Sequence, residues 1–100
     1  MKTQTSLKYK IPSRGTFITF EGMEGSGKSA HLDALSHELR TAGFPVVVTR
    51  EPGGTPLGEK IRNLIFEQNH ETIDPRAELL LYLSARAQHV REVLRPSVDK

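Results

Sequence analysis

One hundred residues, 36% of them hydrophobic and none of them cysteine, suit one small globular unit. The missing cysteines exclude a disulfide framework and a thiolate metal site. No apolar run approaches the roughly 18 residues that span a membrane as a helix, and the first residues lack the apolar core of an export signal. A cytoplasmic chain without a membrane partner is therefore the expectation.

The net charge of +2 is unevenly spread. Lys2, Lys8, Lys10 and Arg14 precede the first acid, Glu21, leaving ten of the fourteen Lys and Arg against all twelve Asp and Glu. Residues 1–15 read as a flexible basic N-terminal tail. Four scattered charges make no dense patch, so no nucleic-acid partner is expected.

Residues 16–20 (Thr-Phe-Ile-Thr-Phe) form a short β-rich run that Gly22 stops. Beyond Ser29 the pattern turns helical, with Leu32, Leu35 and Leu39 at helical spacing and Gly43 suited to close the helix. Residues 45–49 (Pro-Val-Val-Val-Thr) are apolar almost throughout, as in a parallel strand covered on both faces. Together they predict a βαβ unit. A Gly- and Pro-rich loop over 50–56 leads to a second helix over 57–67 that buries Leu57, Ile61, Leu64 and Ile65. Asp74-Pro75 is a strong start for a third helix, which carries Leu79, Leu80, Leu83, Ala87, Val90 and Leu94 and which Pro96 ends or breaks. The predicted class is α/β with a parallel sheet, of which two strands and three helices are present. Two strands cover three apolar helices poorly. Residues 16–100 are thus expected to be the N-terminal part of a longer chain.

Gly22-Met23-Glu24-Gly25-Ser26-Gly27-Lys28-Ser29 fits G-x-x-x-x-G-K-S/T at every fixed position, between a predicted strand and a helix. Glycines let backbone N–H groups close on phosphate oxygens, and the helix N-terminus adds its positive dipole. Lys28 is placed to reach the β- and γ-phosphates, and the Ser29 hydroxyl to ligate Mg²⁺. The motif implies ATP or GTP and leaves the phosphate acceptor open. An acceptor pocket is expected from three features. The first is the run Thr-Arg-Glu-Pro-Gly-Gly-Thr-Pro-Leu-Gly-Glu over 49–59, at the C-terminal end of the second predicted strand. The second is Arg62, which alternatively pairs with Glu59 one helical turn away. The third is Tyr82 with Arg86, four apart on one helix face, offering a stacking surface and a guanidinium fork that suit a nucleobase. The four histidines show no ligand spacing, and His37 and His89 read as surface residues.

On these residues the chain resembles the thymidylate kinases over about 16–100. The 49–59 run is the most specific element, and Leu-Tyr-Leu-Ser-Ala-Arg-Ala-Gln over 81–88 is similar to the family's base-binding helix. The resemblance implies a three-layer P-loop NTPase fold, with 16–100 the N-terminal part of a nucleoside monophosphate kinase domain and inactive by itself. It implies transfer of the γ-phosphate of ATP to dTMP, with Mg²⁺ as cofactor and a homodimer as the assembly. It implies that Lys28 and Glu24 are catalytic, with Glu24 approaching the deoxyribose 3′-hydroxyl. By it, Glu51 orders the sugar and phosphate region, Arg62 binds the dTMP phosphate, Tyr82 stacks on thymine and Arg86 bonds a thymine carbonyl. Arg50 supports the phosphate or the loop. Ala30 departs from the family pattern, which has a hydroxyl residue there. Other readings of the phosphate loop alone are a small P-loop kinase with another acceptor, or a P-loop ATPase switch.

Overall fold

The computed structural model describes residues 15–22, 27–67 and 72–99. The tail expected over 1–15 lies outside these residues except for Gly15, whose N–H donates to the Val98 carbonyl at 2.7 Å.

Helix α1 spans Lys28–Thr41, α2 spans Pro56–Phe66 and α3 spans Pro75–His89. A π-helical segment, Val90–Leu94, and a short helix α4, Arg95–Val98, continue from α3. Each long helix has a local cause for its ends. α1 begins after Gly27, whose φ of 85° is left-handed. It closes in a Schellman motif: Gly43 at φ 97° donates to the Arg40 carbonyl, and Phe44 donates to the Leu39 carbonyl, both at 3.0 Å. α2 is capped by Thr55, whose hydroxyl accepts from the Gly58 N–H at 2.8 Å, with Pro56 as the first helical residue. α3 is capped by Asp74, which accepts from the Arg76 N–H at 2.9 Å, again with proline next.

The core lies between α2 and α3, where Ile61, Ile65 and Ala85 are buried and Leu81 packs against them. Fully burying an isoleucine contributes about 1.5–3 kcal/mol, so this seam sets how the two helices meet. The predicted stripes are only partly right. Leu57 and Leu64 on α2, and Leu79, Leu80 and Leu83 on α3, are exposed. The buried line on α3 is Leu81, Ala85 and His89, each one turn beyond the last. α1 touches none of the other helices among the described residues.

The two expected strands are not formed: among the described residues there is no β-strand. Residues 15–22 and 44–50 have no regular secondary structure and no ladder joining them, and Phe17 and Val47 are 60% and 62% exposed. A strand exists only through hydrogen bonds to a neighbour, and a lone pair of short parallel strands is marginal even when apolar. Pro96 also behaves differently from expectation. It is an early residue of α4, and the helical path runs through it to Val98. The wider π-helical turn before it relieves the lost N–H bond and the ring clash that a proline imposes on a regular helix.

Candidate functional site

The phosphate loop is described only at its two edges. Met23, Glu24, Gly25 and Ser26 lie outside the described residues, whereas Gly22, Gly27, Lys28 and Ser29 lie within them. α1 begins at Lys28, so Lys28 and Ser29 stand in its first turn as the motif requires. The Lys28 ammonium reaches back six residues and donates to the Gly22 carbonyl at 3.0 Å. That bond draws Gly22 and Lys28 together and holds a positive charge beside the N–H groups of a helix start. Ser29 is exposed, and its hydroxyl is a hard oxygen donor of the kind Mg²⁺ takes.

The second half of the site is built by the loop over 50–55, folded against α2 and α3. Its anchor on α2 is Glu59. Arg50 grips this carboxylate with two bonds, Nη2 to Oε1 at 2.6 Å and Nε to Oε2 at 3.2 Å, and the Gly54 N–H adds a third at 2.9 Å. The Arg50 hydrogen bond, then the Gly54 N–H, hold the Glu59 carboxyl down at about 2. The same pairing raises Arg50. Arg62, half-buried on α2, donates through Nη1 to the Pro52 carbonyl at 3.0 Å and lies 5.2 Å from the centre of the Phe66 ring. The alternative pairing of Arg62 with Glu59 is not made among the described residues. Glu59 is taken by Arg50, and Arg62 is turned to the loop instead.

Close approach explains two glycines in this loop and helix. A Cβ on Gly54, which has a φ of +83°, meets the His89 ring at 2.6 Å. One on Gly58 meets the Gly53 carbonyl oxygen at 2.6 Å. The loop backbone therefore lies directly on α2 and on the end of α3.

Glu51 joins the loop to α3. Its Oε1 accepts from Arg86 Nε at 2.8 Å and lies in ion-pair contact with Arg86 Nη2 at 2.7 Å, and its Oε2 lies 2.7 Å from His89 Nδ1. His89 Nε2 lies 2.7 Å from the Thr49 hydroxyl oxygen. Burial pushes the Glu51 carboxyl up, but the hydrogen bonds from His89 and Arg86 outweigh it and leave Glu51 below the usual carboxylate range. An ionised carboxylate only accepts, so His89 Nδ1 carries the proton in this contact. In the neutral ring Nε2 is then the acceptor for the Thr49 hydroxyl. Arg86 is raised by the same pair.

Tyr82, Leu83 and Arg86 on α3 face Glu51 and Pro52 across a recess of about 180 Å³. That is smaller than the ~300–1,000 Å³ of a pocket for a whole drug-sized molecule, and suited to one flat ring system. Glu51 takes the Nε–H of Arg86 in a hydrogen bond, leaving other guanidinium donors for a carbonyl oxygen. The structure thus brings Glu51, Tyr82 and Arg86 to one recess, with Arg62 behind Pro52. Arg50 is bound to Glu59 and serves the loop.

His89 overturns its reading as a surface residue, being 2% exposed and the largest fully buried side chain among the described residues. His89 was missed, and Thr49 was read as the first residue of the 49–59 run. The available signal was spacing, because His89 follows Arg86 by three and Tyr82 by seven, on one helix face. No group of His, Asp and Glu among the described residues is arranged to hold a metal ion, and no described helix is long and apolar enough to cross a membrane.

Residues 20–100 match the family model described as thymidylate kinase. Among curated proteins, a thymidylate kinase of Pseudomonas fluorescens (strain SBW25) is 54% identical over 86 residues, 86% of this chain and 41% of that protein. One from Deinococcus radiodurans is 53% identical over 88 residues, 88% of this chain and 42% of that protein. One from Syntrophotalea carbinolica is 49% identical over 84 residues, 84% of this chain and 39% of that protein. The chain thus spans about two fifths of the length of these relatives. With its phosphate loop at the head of α1, its recess between Glu51 and α3, and a family match over four fifths of its length, the chain belongs to the thymidylate kinase family.

Proposed function

We propose that this chain supplies the ATP-binding and acceptor-binding elements of a dTMP kinase, which moves the γ-phosphate of ATP onto dTMP. An oxygen of the dTMP phosphate forms a bond to the γ-phosphorus, the bond to the β–γ bridging oxygen breaks, and ADP departs, leaving dTDP. The observation that carries this reading is the recess formed by Tyr82, Arg86 and Glu51 on α3 and the 50–55 loop. It has the size and donor set for a pyrimidine, and it stands in a chain that also holds the phosphate-loop lysine.

In this reading Gly22 to Ser29 wrap the ATP phosphates, and Lys28 exchanges its Gly22 carbonyl for phosphate oxygens and neutralises charge that develops on the transferred group. Mg²⁺ suits the Ser29 hydroxyl, and it would supply charge neutralisation at the β- and γ-oxygens. Glu24 approaches the deoxyribose 3′-hydroxyl. Tyr82 stacks on thymine, Arg86 donates to a thymine carbonyl, Glu51 orders the sugar side, and Arg62 meets the dTMP phosphate beside the loop it braces. Arg50 acts by fixing that loop through Glu59. The exposed Leu79 and Leu80 on α3 support a homodimer contact, and a cytoplasmic location fits the chemistry.

Removing the base-reading guanidinium tests the assignment. In the full-length kinase of which this chain supplies part, Arg86→Ala is expected to raise the KM for dTMP by about tenfold or more while the KM for ATP changes little, because only the acceptor loses a bond. Equal rises for both substrates would remove Arg86 from the acceptor pocket. Transfer to another acceptor in preference to dTMP, or hydrolysis stimulated by a protein or nucleic acid, would replace the dTMP assignment.

A further inference from the structure

We propose that His89 is a positioning residue for the acceptor pocket, holding the Glu51 carboxylate so that Arg86 is presented to the recess in one orientation. The proposal rests on the acceptor reading above and adds to it a residue that lines no part of the recess.

Three observations carry it. His89 is almost wholly buried, at 2% exposure, on an α3 whose leucines are largely exposed. A polar ring in that position needs both nitrogens satisfied, and they are: Nδ1 meets Glu51 Oε2 and Nε2 meets Thr49 Oγ1, each at 2.7 Å. Finally, the two Glu51 oxygens are divided between His89 and Arg86. A carboxylate held by Arg86 alone is free to rotate and to slide along the guanidinium edge. Held at Oε2 by a buried ring, it is fixed, and Arg86, 67% exposed in its side chain, takes its direction from it. The Thr49 hydroxyl in turn fixes the ring and ties the chain preceding the loop to the end of α3. Gly54 belongs to the same device. Its lack of a side chain lets the loop lie against His89, where an added Cβ would stand 2.6 Å from the ring.

The two imidazole nitrogens can be tested separately. His89→Asn places an amide N–H near Nδ1 and preserves a donor to Glu51. His89→Gln places its amide near Nε2, keeping a partner for Thr49 and losing the one for Glu51. In calorimetric titrations of dTMP, His89→Gln is expected to weaken binding about tenfold, with ATP affinity changed by less than about twofold, and His89→Asn to restore binding to within about threefold of wild type. In ¹⁵N NMR of the unliganded protein, the Arg86 Nε–H resonance is expected to be slow to exchange in wild type and in His89→Asn, and shifted or lost in His89→Gln. Equal loss in both variants would mean His89 only fills space and would overturn the proposal. So would an unchanged Arg86 resonance in His89→Gln. Should His89→Gln lose its helical signal, Thr49→Val decides in its place, since it keeps the shape of the residue and removes only the hydroxyl that meets His89 Nε2. It is expected to weaken dTMP severalfold without affecting ATP, and no change would overturn the proposal. Absence of dTMP binding in wild type would defeat the acceptor reading instead, and the Arg86 resonance would still decide the positioning role.

Discussion

Gly58→Ala sets two general rules against each other, and the structure chooses between them. Gly58 lies in the first turn of α2, where alanine is the better helix former by about 1 kcal/mol. Helix propensity alone therefore makes the substitution stabilising. The new Cβ, however, stands 2.6 Å from the Gly53 carbonyl oxygen, 2.9 Å from its carbon and 3.0 Å from its Cα, where ordinary contact begins near 3.4 Å. Overpacking of this kind costs about 1–3 kcal/mol. All three opposing atoms are backbone, so no side chain can swing aside. The loop must move as a unit against the Gly54–Glu59 and Arg62–Pro52 hydrogen bonds. Taking the upper part of that range and subtracting the helix gain leaves a net destabilisation of about 1–2 kcal/mol. At about 4–8 °C per kcal/mol, thermal unfolding followed by far-ultraviolet circular dichroism should show a Tm lower by roughly 4–16 °C. A variant melting at or above wild type would refute the close packing of the loop on α2.

Further outcomes follow from the two halves of the site. Lys28→Ala should lower the rate of phosphoryl transfer by about a hundredfold or more, read by coupled ADP release, since the lysine is the mobile positive charge at the phosphate loop; a rate within threefold of wild type would remove it from that role. The Glu59 carboxyl sits at about 2 in the folded chain against an ordinary 4.5. Its contribution to stability is therefore complete above 4.5 and lost as pH falls from there toward about 2. Acid titration of Glu59→Gln should show a shallower loss across that window than wild type, and the difference should shrink in high salt because the pair is exposed.

The chemistry-bearing segments were legible in the sequence where a local rule governs them. Asp74-Pro75 at the head of α3 and Gly43 at the end of α1 are set by capping and by left-handed φ, which neighbouring residues alone determine. Tyr82 and Arg86 were readable as a pair because four residues bring side chains to one helix face. What failed depends on partners distant in sequence. Residues 16–20 and 45–49 have strand composition, yet strands need a ladder that composition does not supply. Family membership implies a P-loop NTPase fold, and the described residues contribute its helices and its loops. His89 was misread because its burial comes from Thr49 and Glu51, forty and thirty-eight residues earlier, folding over the end of α3. The leucines of α3 misled in the opposite sense. Five of the six residues 79–83 and 85 are leucine or alanine, but only the line continuing through Ala85 meets α2.

Binding of dTMP, watched by NMR with ATP present, interrogates the acceptor recess directly. Intermolecular Overhauser contacts are expected between the thymine ring protons and the Tyr82 ring, with the Arg86 guanidinium resonances shifting in step with saturation. Contacts located elsewhere, or a titration that leaves both residues unmoved, would contradict a base-reading pocket between Glu51 and α3.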